Sequence, residues 1–247
     1  MPRRATSPDP APDGQAPTTD EQPEGTPPEK ATEDKPPEVK ATLVLFVRHG
    51  KTPTTGTKLP GRAAGLHLSP EGVKQAAAAA RRIGRLKSVA AVYASPLERT
   101  QETAAPIAEA TGHATVVEDG LLECEFGGWT GAELKELFKK PEWRQVQHSP
   151  SSFRFPDGES FAEMQVRICS AVGRLVAAHP GATVVAVSHA DPIKAAVAAA
   201  IGTHLDLFQR IVVSPCSISA VLYHPAGAPV VLAVNSTGGD LKALVPS

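Results

Sequence analysis

The chain has 247 residues, a formal net charge of −1 and 41% hydrophobic residues, enough apolar material for a sizeable core. Residues 1–40 hold ten of the 24 prolines and set nine acidic against five basic side chains, which leaves only about +3 on the remainder. That modest charge, with no basic stripe and no apolar run near the ~20 residues that span a bilayer, argues against nucleic-acid and membrane partners.

Within residues 1–40, Met1 and Val39 are the only large apolar side chains. Such a segment cannot offset its ordering entropy, so a disordered, solvated tail is expected. No apolar stretch of the ~7–15 residues typical of a signal peptide follows Arg3 and Arg4. Cys124, Cys169 and Cys216 are too widely spaced for a disulfide framework or a zinc site, and a cytoplasmic location is expected. Residues 41–247 are read as one domain.

Strands and helices alternate from residue 42 onward. Leu43-Val44-Leu45-Phe46-Val47 is an unbroken apolar run, the pattern of a strand buried on both faces, and it empties into Arg48-His49-Gly50. A helix over 70–86 and a strand at 89–94 follow. The next helix, 96–110, opens with Ser95-Pro96-Leu97-Glu98, which reads as a capping box with proline at the first helical position. A short strand at 115–117 precedes a glycine- and aromatic-rich loop and a helix over 131–139. Ser160-Phe161-Ala162-Glu163 repeats the capping pattern before a helix over 161–179, whose Phe161, Met164, Ile168, Val172, Leu175 and Val176 share one face. A strand at 183–188 then runs into Ser188-His189, with Asp191-Pro192 as the expected cap of a helix over 192–201. Strands at 217–223 and 230–235 close the sequence. The alternation predicts an α/β three-layer sandwich, with a mostly parallel central sheet and helices on both faces.

Two strands thus end in a histidine, where open α/β sheets gather ligands. The other six histidines lie in polar or peripheral contexts and are given no role. Phosphoryl transfer needs charge held on three equatorial oxygens, a nucleophile, and an acid for the leaving oxygen. A neutral imidazole can be the nucleophile, and guanidinium forks suit the oxygens. Arg48 stands beside His49, Arg99 lies in the first turn of the 96–110 helix, and Arg62 sits in the loop Pro60-Gly61-Arg62. Leu121-Leu122-Glu123-Cys124-Glu125-Phe126-Gly127-Gly128-Trp129-Thr130-Gly131 sets carboxylates among aromatic residues, surroundings that raise a carboxyl pKa as a general acid requires.

Together these segments resemble the histidine phosphatase superfamily, the phosphoglycerate-mutase-like proteins, over roughly residues 42–240. The resemblance rests on Arg48-His49-Gly50, on Ser95-Pro96-Leu97-Glu98-Arg99-Thr100 with Glu102-Thr103-Ala104, on the Leu-x-Glu-x-x-Phe-Gly-x-Trp-x-Gly stretch from Leu121, and on Ser188-His189. Gly61-Arg62 and Leu68-Ser69-Pro70-Glu71-Gly72 add weaker matches. The alanine-rich composition and Leu205–Arg210 are most similar to an actinobacterial branch of phosphatases and phosphomutases. The resemblance implies a phosphoglycerate-mutase-like fold, His49 as the phosphorylated nucleophile, and Arg48, Arg99 and His189 as the phosphate pocket. It selects Glu123 over Glu125 as proton donor and makes Arg62 a further pocket member. Where many relatives have asparagine six residues after the nucleophile, this chain has Thr55, whose hydroxyl can donate a single hydrogen bond to phosphate. Ala190 and Thr130 replace the family's usual glycine and glutamate at their positions.

The expected activity is metal-independent hydrolysis of a small phosphorylated substrate, with no cofactor. A phosphomutase is the alternative enzyme: Lys135, Lys139, Lys140, Arg144 and Arg154 are either a solvated face or a grip on a second anionic group. A non-catalytic phospholigand-binding protein is the third reading, disfavoured by the presence of His49, Arg99 and Glu123 together.

Overall fold

The computed structural model describes residues 40–245, so the expectation of a disordered tail lies outside the described residues. These residues form six strands: β1 (Thr42–Arg48), β2 (Val89–Ala94), β3 (Thr115–Val117), β4 (Thr183–Ser188), β5 (Ile218–Tyr223) and β6 (Val230–Ser236). They make one sheet in the order β3-β2-β4-β1-β5-β6. The first four in that order run parallel, and β5 is antiparallel to both of its neighbours. The mostly parallel sandwich expected from the sequence is the observed fold.

β1 shows why an unbroken apolar run was needed. Leu43, Leu45 and Val47 face a core shared with α1 (Pro70–Ile83) and α2 (Glu98–Thr111). Val44 and Phe46 face the opposite core, built with α5 (Phe161–Ala178) and α6 (Ala190–Ala200). Alternate side chains therefore meet two separate apolar layers, as the period of a strand dictates. Register then fixes the site: Arg48 pairs with Ser188 across β1 and β4, so the next residue on each strand is a histidine.

Three local expectations are corrected. Ser95 is not the cap of α2; Leu97 holds that position without a side-chain hydrogen bond, and Glu98 instead accepts from the Gly65 N–H at 2.9 Å. Asp191 does not cap α6, which starts at Ala190 directly after His189. The helix over 131–139 shrinks to α3 (Leu134–Leu137), and α4 (Glu142–His148) follows unannounced. Gly131 has φ +81°, its N–H donates to the Leu59 carbonyl at 2.7 Å, and Lys58 forms an isolated bridge with Glu133, so this stretch pairs with residues 58–59 before it can coil. By contrast, the Ser160–Glu163 capping box is present in both directions.

The start of α1 presses against the chain just after His49. A Cβ on Gly72 would stand 2.1 Å from the Lys51 carbonyl oxygen, and one on Gly50 would stand 2.7 Å from that of Gly72. Only glycine permits this approach. Gly72→Ala is expected to destabilise the fold by about 1–3 kcal/mol, seen as a lower urea midpoint with an unchanged slope.

Candidate active site

His49 leaves the end of β1 and His189 the end of β4, and their ring centroids lie 5.2 Å apart. The His49 Nδ1 is 2.8 Å from the Gly50 carbonyl oxygen. A carbonyl only accepts, so Nδ1 carries the proton and Nε2 presents a lone pair. Burial, reinforced by the Arg48 and Arg99 charges, pulls the His49 pKa down to about 3, which keeps the ring neutral and nucleophilic at neutral pH. His189 is fully buried, with its Nε2 2.9 Å from the Ser95 hydroxyl. Its pKa too lies well below the ordinary histidine value, first through burial and then through Arg99 and His49. Among the described residues nothing hydrogen-bonds its Nδ1.

Two guanidinium groups flank this pair, that of Arg99 buried and that of Arg48 partly buried. Arg99, in the first turn of α2, has no exposed surface. Its Nη2 donates to the Gly61 carbonyl at 2.7 Å, while Nε and Nη1 have no partner among the described residues. Gly61 can aim that carbonyl because its φ is +54°. Arg48 donates through Nη1 to the Val213 carbonyl at 2.7 Å, and its Nε is again unpartnered. Burial lowers the pKa of both arginines, opposed first by the Glu123 charge. Each unpaired buried donor costs about 1–3 kcal/mol, so a cluster of them is a site prepared for an acceptor with several oxygens.

Glu123 is only 7% exposed, in the loop between β3 and α3. Desolvation, with the Asp191 charge second, pushes its carboxyl pKa up to about 7. Its Oε1 accepts from the Cys124 N–H at 3.0 Å. The carbonyl of Glu123 is clamped from behind: Arg62 Nε donates to it at 2.8 Å and Arg167 Nη2 at 3.2 Å. Glu159 binds both guanidinium groups, at 3.1 Å to Arg62 and at 2.8 and 2.9 Å to Arg167.

A cleft of about 330 Å³ is lined by Arg48, His49, Thr55, Glu123 and Asp191 at its inner end. Thr55 thus reaches the cleft, and its hydroxyl also accepts from the Thr52 N–H at 2.9 Å. Arg62 is placed in the scaffold that holds the Glu123 carbonyl. Sequence reasoning missed Ser95 and Asp191 as site residues, having taken both for helix caps, and missed the clamp of Glu159 and Arg167. The position of Asp191, two residues past the strand-end histidine, was the available signal for it. Among the described residues no group of three or more His, Cys, Asp or Glu side chains is arranged to hold a metal ion. No described helix is long and apolar enough to cross a membrane.

Comparison with known proteins finds relatives of this chain. Residues 44–237 match the profile of the histidine phosphatase superfamily (branch 1). The bifunctional protein Rv2228c of Mycobacterium tuberculosis is 33% identical over 198 residues, covering 80% of this chain and 54% of that protein. The chain thus spans about half the length of such curated relatives. Phosphoserine phosphatase 1 of Hydrogenobacter thermophilus is 33% identical over 199 residues, 78% of this chain and 92% of the relative. Among solved structures, the native mycobacterial glucosyl-3-phosphoglycerate phosphatase shares the fold, with a TM-score of 0.73 at 24% identity over 80% of this chain and 100% of that one. A mutant phosphoserine phosphatase of Entamoeba histolytica in complex with phosphoserine has a TM-score of 0.72 at 25% identity, covering 79% and 98% of the two chains.

Proposed function

The chain belongs to the histidine phosphatase superfamily, and from its site we propose that it hydrolyses small phosphomonoesters through a phosphohistidine on His49. The observation that carries this reading is His49, its Nδ1 held on the Gly50 carbonyl, set beside buried arginine N–H groups that lack acceptors among the described residues. The Nε2 lone pair attacks phosphorus as the bond to the alcohol oxygen breaks. The Glu123 carboxyl gives its proton to that oxygen. Arg48, Arg99 and the Nδ1 of His189 hold the three equatorial oxygens, where negative charge gathers in the transition state. Water then transfers a proton to the Glu123 carboxylate, its oxygen bonds to phosphorus, and the P–Nε2 bond breaks to release inorganic phosphate. Glu123 ends protonated, ready for the next turnover.

Hydrolysis is favoured over mutase chemistry because the basic side chains of the 131–154 stretch do not line the inner cleft. Lys135 and Lys139 pair with Glu133 and Glu136 at 2.7 and 2.9 Å, and Arg154 pairs with Glu163. These three are engaged by carboxylates rather than held free for a second phosphate. Full-length protein given a radiolabelled aryl phosphate and quenched in alkali should retain label on His49, lost on acidification as a phosphoramidate is. Turnover should be unchanged in excess chelator, since guanidinium groups rather than a cation hold the charge. Absence of trapped label under single-turnover conditions would overturn the phosphohistidine.

A further inference from the structure

Beyond its phosphate end, the cleft is walled by Leu59, Phe126, Leu134, Phe138 and Trp143. The Trp143 ring lies 5.0 Å from Phe138 and 6.2 Å, near-parallel, from the buried Trp129, so this wall is backed by the core. Phe138 nonetheless leaves 57% of its surface to solvent at the mouth. The cleft continues past Gly56, Lys58, Leu134 and Phe138 into a second hollow of about 430 Å³, whose remaining lining (Thr57, Glu133 and Lys135) is polar, so the apolar wall is that of the first cleft. Large apolar side chains grouped around a concave surface, rather than scattered singly, mark a place that binds apolar matter.

Three polar side chains of the same cleft, Asp191, Lys194 and Gln209, are committed to one another. Lys194 Nζ lies 3.2 Å from Asp191 Oδ1 and 3.0 Å from Gln209 Oε1. A carboxylate or hydroxyl-rich leaving group would have to compete for Lys194 with that carboxylate, and would press the rest of its polar surface against the aromatic wall. Such groups lose water there without regaining hydrogen bonds.

We propose, resting on the hydrolase reading, that the physiological substrate is the phosphomonoester of a bulky apolar alcohol, aryl or long-chain alkyl, with Phe138 and Trp143 setting that preference. The phosphoryl group enters between His49 and His189 and the apolar body lies along Leu134, Phe138 and Trp143. Each methylene moved out of water onto this wall is worth a factor of about three to four in kcat/KM.

Straight-chain alkyl phosphates test this, because lengthening the chain changes apolar contact while hardly altering the leaving oxygen. The full-length protein is assayed with methyl, butyl and hexyl phosphate, and with phosphoserine, 3-phosphoglycerate and glucose 6-phosphate. The expected result is a rise of about 10²-fold or more from methyl to hexyl, with hexyl phosphate above all three polar esters. Phe138→Ser and Trp143→Ala should each compress the hexyl-to-methyl ratio about tenfold or more, chiefly through KM. Phe138 is exposed enough for its substitution to leave the melting temperature nearly unchanged. A flat series, or a polar ester that outpaces hexyl phosphate, overturns the proposal while hydrolysis itself stands. If no ester is turned over and His49 takes no label, the hydrolase reading falls, and the substrate class falls with it.

Discussion

His49→Ala should reduce kcat for every phosphoester about 10⁴–10⁶-fold, to the level of a site that binds but cannot form the covalent intermediate. The size follows from what the side chain supplies. The ring is held neutral by burial and by Arg48 and Arg99, and its Nδ1 proton is fixed on the Gly50 carbonyl, so Nε2 is the atom left to attack. Alanine removes that atom and leaves the guanidinium groups in place. Binding of inorganic phosphate, followed by calorimetry, should therefore survive the substitution that ends turnover. Arg99→Gln provides the contrast. It should weaken phosphate binding and lower kcat about 10²–10³-fold, the usual loss for one group that stabilises transition-state charge. Retention of hydrolysis by His49→Ala at more than a few per cent of the parent rate would replace covalent catalysis with direct attack by water.

Glu123→Gln should separate substrates by leaving group and erase a pH dependence. The donor must be protonated for the first step, and its carboxyl has been raised to about 7. The competent fraction is therefore nearly complete at pH 6 and falls through about pH 7, so kcat/KM for an alkyl phosphate declines tenfold per pH unit on the alkaline side. Glutamine cannot yield a proton, so alkyl phosphates should lose about 10²–10⁴-fold and that decline should vanish. A 4-nitrophenyl ester, whose leaving oxygen departs as a stable anion, should lose far less. Asp191→Asn should move the decline to lower pH, because the Asp191 charge is the second cause of the raised value. The same shift acts on stability. A carboxyl raised on folding favours the folded state most below its unfolded value, and that contribution fades as pH rises through about 7. Equal losses for alkyl and aryl esters in Glu123→Gln would remove Glu123 as the donor.

The sequence made the sheet legible because its strands are buried on both faces and so appear as continuous apolar runs, as with Leu43–Val47 and Thr183–Ser188. It made the candidate site legible because two such strands each run directly into a histidine, and register in the sheet brings those two positions together. What it hid were choices between local and distant partners. Ser95 carries the residues of a cap, but its hydroxyl goes to His189 from 94 residues away. Asp191 looked like a cap for the same reason, and in the fold its charge acts on Glu123 while its oxygen pairs with Lys194. Ala132 and Glu133 favour a helix, yet Gly131 and the pairing with Lys58 and Leu59 claim their backbone first. The loop of Arg62 suggested a phosphate ligand, and gave no sign of its bonds to the Glu123 carbonyl and to Glu159, 61 and 97 residues on. None of these preferences is encoded within a short window.

The spacing of the two imidazoles is set by adjacent parallel strands rather than by loops. Hydrogen-bonded strands lie about 4.8 Å apart whatever their side chains, and the rings sit one residue beyond the last paired position. The proposed phosphate site is therefore positioned by the sheet, while the stretch from Gly131 to Ser152 hangs from it by pairing to residues 58–59. Transplanting that stretch between relatives should exchange substrate preference and leave the rate-limiting chemistry of a minimal ester such as methyl phosphate largely where it was. Diversity within such proteins is then a matter of refitting the porch while the hearth stays put.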